Sequence, residues 1–240
     1  MSRYREGLAA RRQVVGAFCC MDGYATAHIL AAVGFDFLVF DRQHAAYSWS
    51  DLENLCFRVR SEGASPFIRT ASAEEAEINL AMDMPIEGII IPNVASAAEA
   101  RAAIAKAHWP PQGIRSLGNE RHDAIWQAYS QPDPLVGLLI EHPGAVAEID
   151  EILKLAVDFI WIGTHDLSLQ MGFDPHEVVD GGVLPAALTE AMERVREAAA
   201  AHDVVLWGGL GDKHSVGVGT VDARLVRQAA EDVLARLRGA

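Results

Sequence analysis

The chain is short of cations and of cysteine, and it has no apolar run long enough to span a bilayer. Lys and Arg total 20 against 33 Asp and Glu among 240 residues, a net charge of −13. Such a field repels phosphate backbones and anionic lipid, which argues against nucleic acid and membrane surfaces as partners. A small anionic substrate is still compatible, because a few local cations or one metal ion reverse the field inside a pocket. The three cysteines, Cys19, Cys20 and Cys56, are odd in number and sit in apolar contexts, so they read as buried thiols rather than a disulfide or metal cluster. The opening MSRYREGLAARRQVVG scatters charge where a signal peptide needs a continuous apolar stretch, and a cytoplasmic protein is expected. Linkers, low-complexity tracts and close internal repeats are also missing. Half the residues are hydrophobic, which suits one large core and a single domain over residues 1–240.

What is present is an alternation of short apolar runs with helix-period segments. The runs are 14–21, 35–41, 65–70, 86–94, 135–141, 157–163, 204–209 and 215–220. Eight strands separated mostly by helices are the pattern of an α/β protein of the (β/α)8 TIM-barrel class. SWSDLENLCFRVRSEG opens on serine and acidic residues and closes on Gly63; SAAEARAAIAKAHWPP opens on Ser96 ahead of Glu99 and stops at Pro110 and Pro111. Between VVLWGG and SVGVGT only about five residues intervene, whereas a parallel crossover needs a dozen. Either the seventh helix is lost and the barrel is irregular there, or one of those runs is not a strand.

Chemistry concentrates where the apolar runs stop. Glu141 ends LVGLLIE and Asp166 lies just past VDFIWIG, 25 positions later, about one strand-helix repeat. Both carboxylates then reach one barrel rim, where they can hold a hard divalent cation and leave positions open for water and substrate oxygens. The alternative is that Glu141 pairs with a cation and Asp166, in HDLS, caps a turn. Arg69 ends SPFIRT, as an oxyanion-stabilising cation or a salt-bridge residue. His44, after LVFD, is a candidate general base or a hydrogen-bonded structural histidine, and Asp83, after AEEAEINLAM, is a candidate partner. Arg115 lies in HWPPQGIRSLGNERHD, a turn-rich loop, and suits either a second substrate carboxylate or phosphate or an interface. The GxG of SVGVGT lacks the Rossmann spacing. Lys106, Lys154 and Lys213 all fall in helix or loop patterns, which argues against a Schiff base.

The stretches GFDFLVFDRQHA, PFIRT, IIIPNV, WPPQGIRSLG, LIEHPGAV and IGTHDLSLQMG, in this order and spacing, resemble the HpcH/HpaI family of class II, metal-dependent pyruvate aldolases, typified by 4-hydroxy-2-oxoheptanedioate and 2-dehydro-3-deoxyglucarate aldolases. The resemblance runs from about residue 6 to 200. It implies a homo-oligomeric TIM barrel, a trimer or hexamer, with a C-terminal helix exchanged between subunits. It implies a divalent metal (Mg2+, Mn2+ or Co2+) on Glu141 and Asp166, and small 2-oxo acid and aldehyde substrates. By position, Arg69 matches an arginine steadying the enolate oxygen, and His44 with Asp83 a dyad for proton transfer. Asp41 matches a carboxylate that holds a water beside the metal, and the backbone of Gly163, Thr164 and His165 the segment that receives the pyruvate carboxylate.

The family usually reads Asp-Gly-Glu-His where this chain has Asp41-Arg42-Gln43-His44. The net charge of the loop therefore rises by two, one unit from each change, which suits Arg42 and Gln43 to an acceptor with an extra carboxylate. His165 stands where a small residue is common. The expected function is a carbon-carbon lyase acting on 4-hydroxy-2-oxo acids through a pyruvate enolate. Two alternatives are condensation of an acyl thioester with a 2-oxo acid on the same scaffold, and a non-catalytic binding subunit.

Overall fold

The structure is a computed structural model that describes residues 2–21, 23–118, 133–208 and 215–239. In chain order the elements are α1 (Arg3–Ala9), β1 (Val14–Cys19), α2 (Tyr24–Val33), β2 (Phe37–Asp41), α3 (Trp49–Ser61), β3 (Ser65–Arg69), α4 (Glu75–Met82), β4 (Gly88–Ile91), α5 (Ala97–Ala107) and β5 (Leu135–Ile140). There follow α6 (Pro143–Ala147), α7 (Ile149–Leu153), β6 (Phe159–Ile162), α8 (Thr164–Gln170), a π-helical turn (His176–Asp180), α9 (Ala186–Ala201), β7 (Val205–Trp207), β8 (Val216–Val221) and α10 (Asp222–Arg238). The strands close into a barrel in chain order. Pairing is parallel for β1 with β2 and β8, and along β4, β5, β6 and β7. All eight apolar runs therefore supply strands, VVLWGG and SVGVGT included. The connection between those two is short, and its residues 209–214 lie outside the described ones.

The helices start where their side chains can satisfy the exposed N–H groups. Ser48 accepts from Asp51 N–H and the Asp51 side chain reaches back to Ser48, a capping box. Ser96 caps α5 in the same way through Glu99 N–H. Among the described residues no helix is long and apolar enough to cross a membrane.

The chain divides into two compact units, residues 1–68 with 209–240, and residues 69–208. In the first, Tyr4, Phe37 and Phe67 pack edge to face with centroids 5.0 to 5.6 Å apart, and Cys56 is a free, buried thiol. Cys19 is also buried, while Cys20 is half-buried and donates its thiol to Asp222. In the second, Phe159 stacks on Trp207 at 4.3 Å.

Both units use the same strand device. Gly16 faces Phe37 across β1 and β2, and Gly137 faces Phe159 across β5 and β6. A Cβ on either glycine would stand 2.2 Å from the ring. The residue before each phenylalanine is an aspartate that accepts the N–H of the valine before each glycine: Asp36 from Val15 at 2.9 Å, Asp158 from Val136 at 2.7 Å. Each ring, fully buried, contributes roughly 2 kcal/mol, and the missing Cβ is what admits it.

Candidate active site

Every residue expected to hold the metal lies in the unit formed by residues 69–208. Glu141 is the first residue beyond β5 and only 3 % exposed. Its Oε1 accepts the backbone N–H of Asn93 at 2.6 Å, and its buried Oε2 has no hydrogen-bond partner among the described residues. Leaving a charged oxygen in that condition is costly. Burial accordingly pushes the Glu141 carboxyl up to about 7; the Asn93 N–H and the Arg69 charge pull it down, and the neighbouring Asp166 carboxylate raises it further.

Asp166 comes from the following strand-helix unit. Gly163 N–H donates to Ile140 carbonyl at 3.0 Å, which ties the end of β6 to the end of β5, and Leu167 N–H closes the first bond of α8 on Gly163 carbonyl at 2.8 Å. Gly163 is thus the N-cap and Asp166 stands inside the first turn rather than capping it. An acidic side chain is favoured there by the helix dipole. Gly163 also makes the Glu141 conformation possible: a Cβ at 163 would lie 2.8 Å from Glu141 Cβ and 2.9 Å from Oε2.

Asn93 has a left-handed backbone, φ 59°, which aims its N–H at the carboxylate. Sequence reasoning missed it, although asparagine directly after the strand run in IIIPNV is the residue type that tolerates this conformation. Arg69 ends β3 and its charge reaches Glu141. Thr164 and His165 open α8, whose first-turn N–H groups have no partner within the helix. The His165 ring points to Asp180, Nε2 to Oδ1 3.1 Å, and His176 takes the other oxygen of Asp180 at 2.9 Å.

Asp83 and Arg115 are joined: Nη2 of Arg115 donates to Asp83 Oδ1 at 2.6 Å. The structure therefore gives Asp83 a cationic partner that its sequence position did not suggest.

The loop after β2 belongs to the other unit and is organised within itself. Asp41, buried, accepts the N–H groups of Gln43 and His44 at 3.0 and 3.3 Å. The Arg42 guanidinium donates to Tyr47 carbonyl and lies 4.6 Å from the centre of the Trp49 ring, so its charge is engaged by its own loop. Gln43 Oε1 is buried with no partner among the described residues, and His44 is exposed.

Among the described residues no group of three or more His, Cys, Asp or Glu side chains gathers to hold a metal. The unit holds instead a pair of carboxylates, one with an unsatisfied buried oxygen, which fits a hard cation that keeps several positions for water or substrate. Residues 15–225 fit the model of the HpcH/HpaI aldolase/citrate lyase family. The chain belongs to that family.

Within the HpcH/HpaI family, the chain is 29 % identical over 203 residues to the hydroxypyruvate/pyruvate aldolase of Rhizorhabdus wittichii, covering 82 % of this chain and 81 % of that one. It is 28 % identical to the 4-hydroxy-2-oxo-heptane-1,7-dioate aldolase of Salmonella dublin, covering 97 % and 93 %. The crystal structure of an HpcH/HpaI aldolase from Desulfitobacterium hafniense superposes with a TM-score of 0.79 at 25 % identity, over 95 % of this chain and 94 % of that one.

Proposed function

We propose that this HpcH/HpaI family member is a divalent-metal-dependent aldolase that cleaves and forms 4-hydroxy-2-oxo acids, with pyruvate as the common three-carbon partner. The observation that carries the reading is the buried, half-partnered Glu141 carboxylate beside Asp166 and within the field of Arg69. Glu141 and Asp166 would hold Mg2+, Mn2+ or Co2+. Such a cation supplies the charge that polarises the keto group of a 2-oxo acid.

The remaining work falls to the chain. Arg69 presents a permanent cation to the same oxygen, where negative charge grows as the bond between C3 and C4 breaks. The backbone of Gly163, Thr164 and His165 receives the acid's carboxylate. In cleavage His44 takes the proton of the C4 hydroxyl as the aldehyde carbonyl forms, and the electron pair of the broken bond stays on the pyruvate fragment, which is then protonated at C3. Asp83 is assigned to proton transfer as well, and Asp41 sets the loop that carries His44 through the two N–H groups it accepts. The assembly expected for the protein is a homo-oligomer.

The test is proton NMR of pyruvate in D2O with purified protein, first stripped with chelator and then supplied with each metal at low concentration. The methyl signal is expected to decay only with metal present. A signal that persists with all three metals would sink the reading.

A further inference from the structure

A buried guanidinium needs an explanation, because charge taken out of water is costly unless it is paired. Arg115 is 4 % exposed. Its Nη2 donates both to Met82 carbonyl at 2.9 Å and to Asp83 Oδ1 at 2.6 Å, its buried Nε has no partner among the described residues, and its guanidinium carbon stands 4.6 Å from the centre of the Trp109 ring.

The chain that carries Arg115 is built to deliver it. Gly113 N–H donates to Trp109 carbonyl at 3.0 Å, Ile114 N–H to Ala105 carbonyl at 2.7 Å and Arg115 N–H to His108 carbonyl at 2.9 Å. This folds residues 109–115 back on the end of α5. Only glycine fits the fold at 113, where a Cβ would stand 2.2 Å from Ala105 carbonyl oxygen.

The place of delivery is electrostatically awkward for Asp83. It is the C-cap of α4, at the negative end of the helix dipole, and the first turn of that helix carries Glu75 and Glu77. A guanidinium bonded to both a last-turn carbonyl and the carboxylate offsets that repulsion. The same loop then passes Asp83 with Gly118, where a Cβ would stand 2.9 Å from Asp83 Oδ2.

We infer that Arg115 is a positioning residue for Asp83: the 109–118 loop clamps Oδ1 and so fixes the direction in which the carboxylate serves proton transfer. This rests on the aldolase reading, which gives Asp83 its part in the reaction. Arg115 then acts through Asp83 and not on a distal carboxylate of the substrate.

The experiment is steady-state cleavage of a 4-hydroxy-2-oxo acid, read as pyruvate released, for wild type, Arg115→Ala, Asp83→Ala and the double variant, each with and without low-millimolar guanidinium chloride. Arg115→Ala is expected to lower kcat by roughly 10- to 100-fold, the scale of a misplaced group, with KM within about threefold. Free guanidinium restores much of that loss in Arg115→Ala and none in the double variant. In the Asp83→Ala background, removing Arg115 adds less than about threefold. A rise in KM with kcat intact, or an equal loss in both backgrounds, overturns the positioning role. If Arg115→Ala does not fold, Arg115→Lys decides: lysine keeps the charge but not the planar, stacked fork, and a kcat within about twofold of wild type also overturns it. Wild-type exchange of the pyruvate methyl protons reports separately on the aldolase reading; its absence removes that reading and this inference with it.

Discussion

Glu141→Gln is expected to erase a pH dependence of stability in metal-free buffer and to abolish the response to metal. Burial holds the Glu141 carboxyl up at about 7 in the folded chain, well above its value in an unfolded one. A raised carboxyl favours the folded state while it is protonated, so its contribution is complete below about pH 4.5 and is lost as pH rises through about 7. The wild type should therefore lose up to about 3 kcal/mol relative to Glu141→Gln between those limits, read by urea unfolding in chelator. Divalent metal reverses the trend, since it binds only the ionised carboxylate and adds about 2.7 kcal/mol at a hundredfold excess over Kd. Glutamine gains none of this, and metal-dependent exchange of pyruvate protons should fall by at least about 10³-fold. Parallel stability curves for the two proteins across this range would refute the account of Glu141.

Gly163→Ala should be nearly as damaging, although it adds one methyl group. Its backbone, φ −81°, is open to any residue, so the cost is steric. The new Cβ would stand 2.8 Å from Glu141 Cβ, 2.9 Å from Oε2 and 3.3 Å from Leu139 Cγ. Leu139 is buried in β5 and Glu141 Cβ is fixed to its backbone, so the backbone at 141 or 163 has to shift and the Glu141 carboxylate moves with it. Overpacking of this kind costs about 1–3 kcal/mol of stability, and the displaced ligand should lower the exchange rate by about 10²-fold. Gly208→Ala is the control, because among the described residues a Cβ there meets nothing within 4 Å. If Gly163→Ala binds metal and exchanges protons at the wild-type rate, the close packing of Gly163 on the carboxylate is irrelevant to the site.

The barrel was readable in the sequence because its signals are local. Apolar runs such as FLVF and GIII are continuous since their strands are buried on both faces, and serines 48 and 96 mark helix starts within three residues of the groups they cap. Glu141 and Asp166 stood out for the same reason, as acidic residues at or just beyond the ends of apolar runs. What escaped was long-range. Arg115 meets Asp83 across 32 positions and Asn93 meets Glu141 across 48, and neither pairing leaves a pattern in the intervening residues. Arg42 is a different case: its added charge was legible, but its engagement by Tyr47 and Trp49 depends on how the loop turns. The recurrence of Val-Gly and Asp-Phe in both units escaped as well, because four residues spread over two strands are too few to register as a repeat.

The left-handed turn at Asn93 has a consequence for ion selectivity. On the aldolase reading proposed above, its amide takes one acceptor site of Oε1 and leaves Oε2 as the freer oxygen to meet an ion, which would favour binding by this carboxylate at a single point. Calcium, which takes six to eight oxygens and readily accepts two from one carboxylate, loses most from that restriction, whereas magnesium and manganese, satisfied by single contacts and retained water, lose little. On that reading a peptide bond outside the coordination shell would act as a size filter.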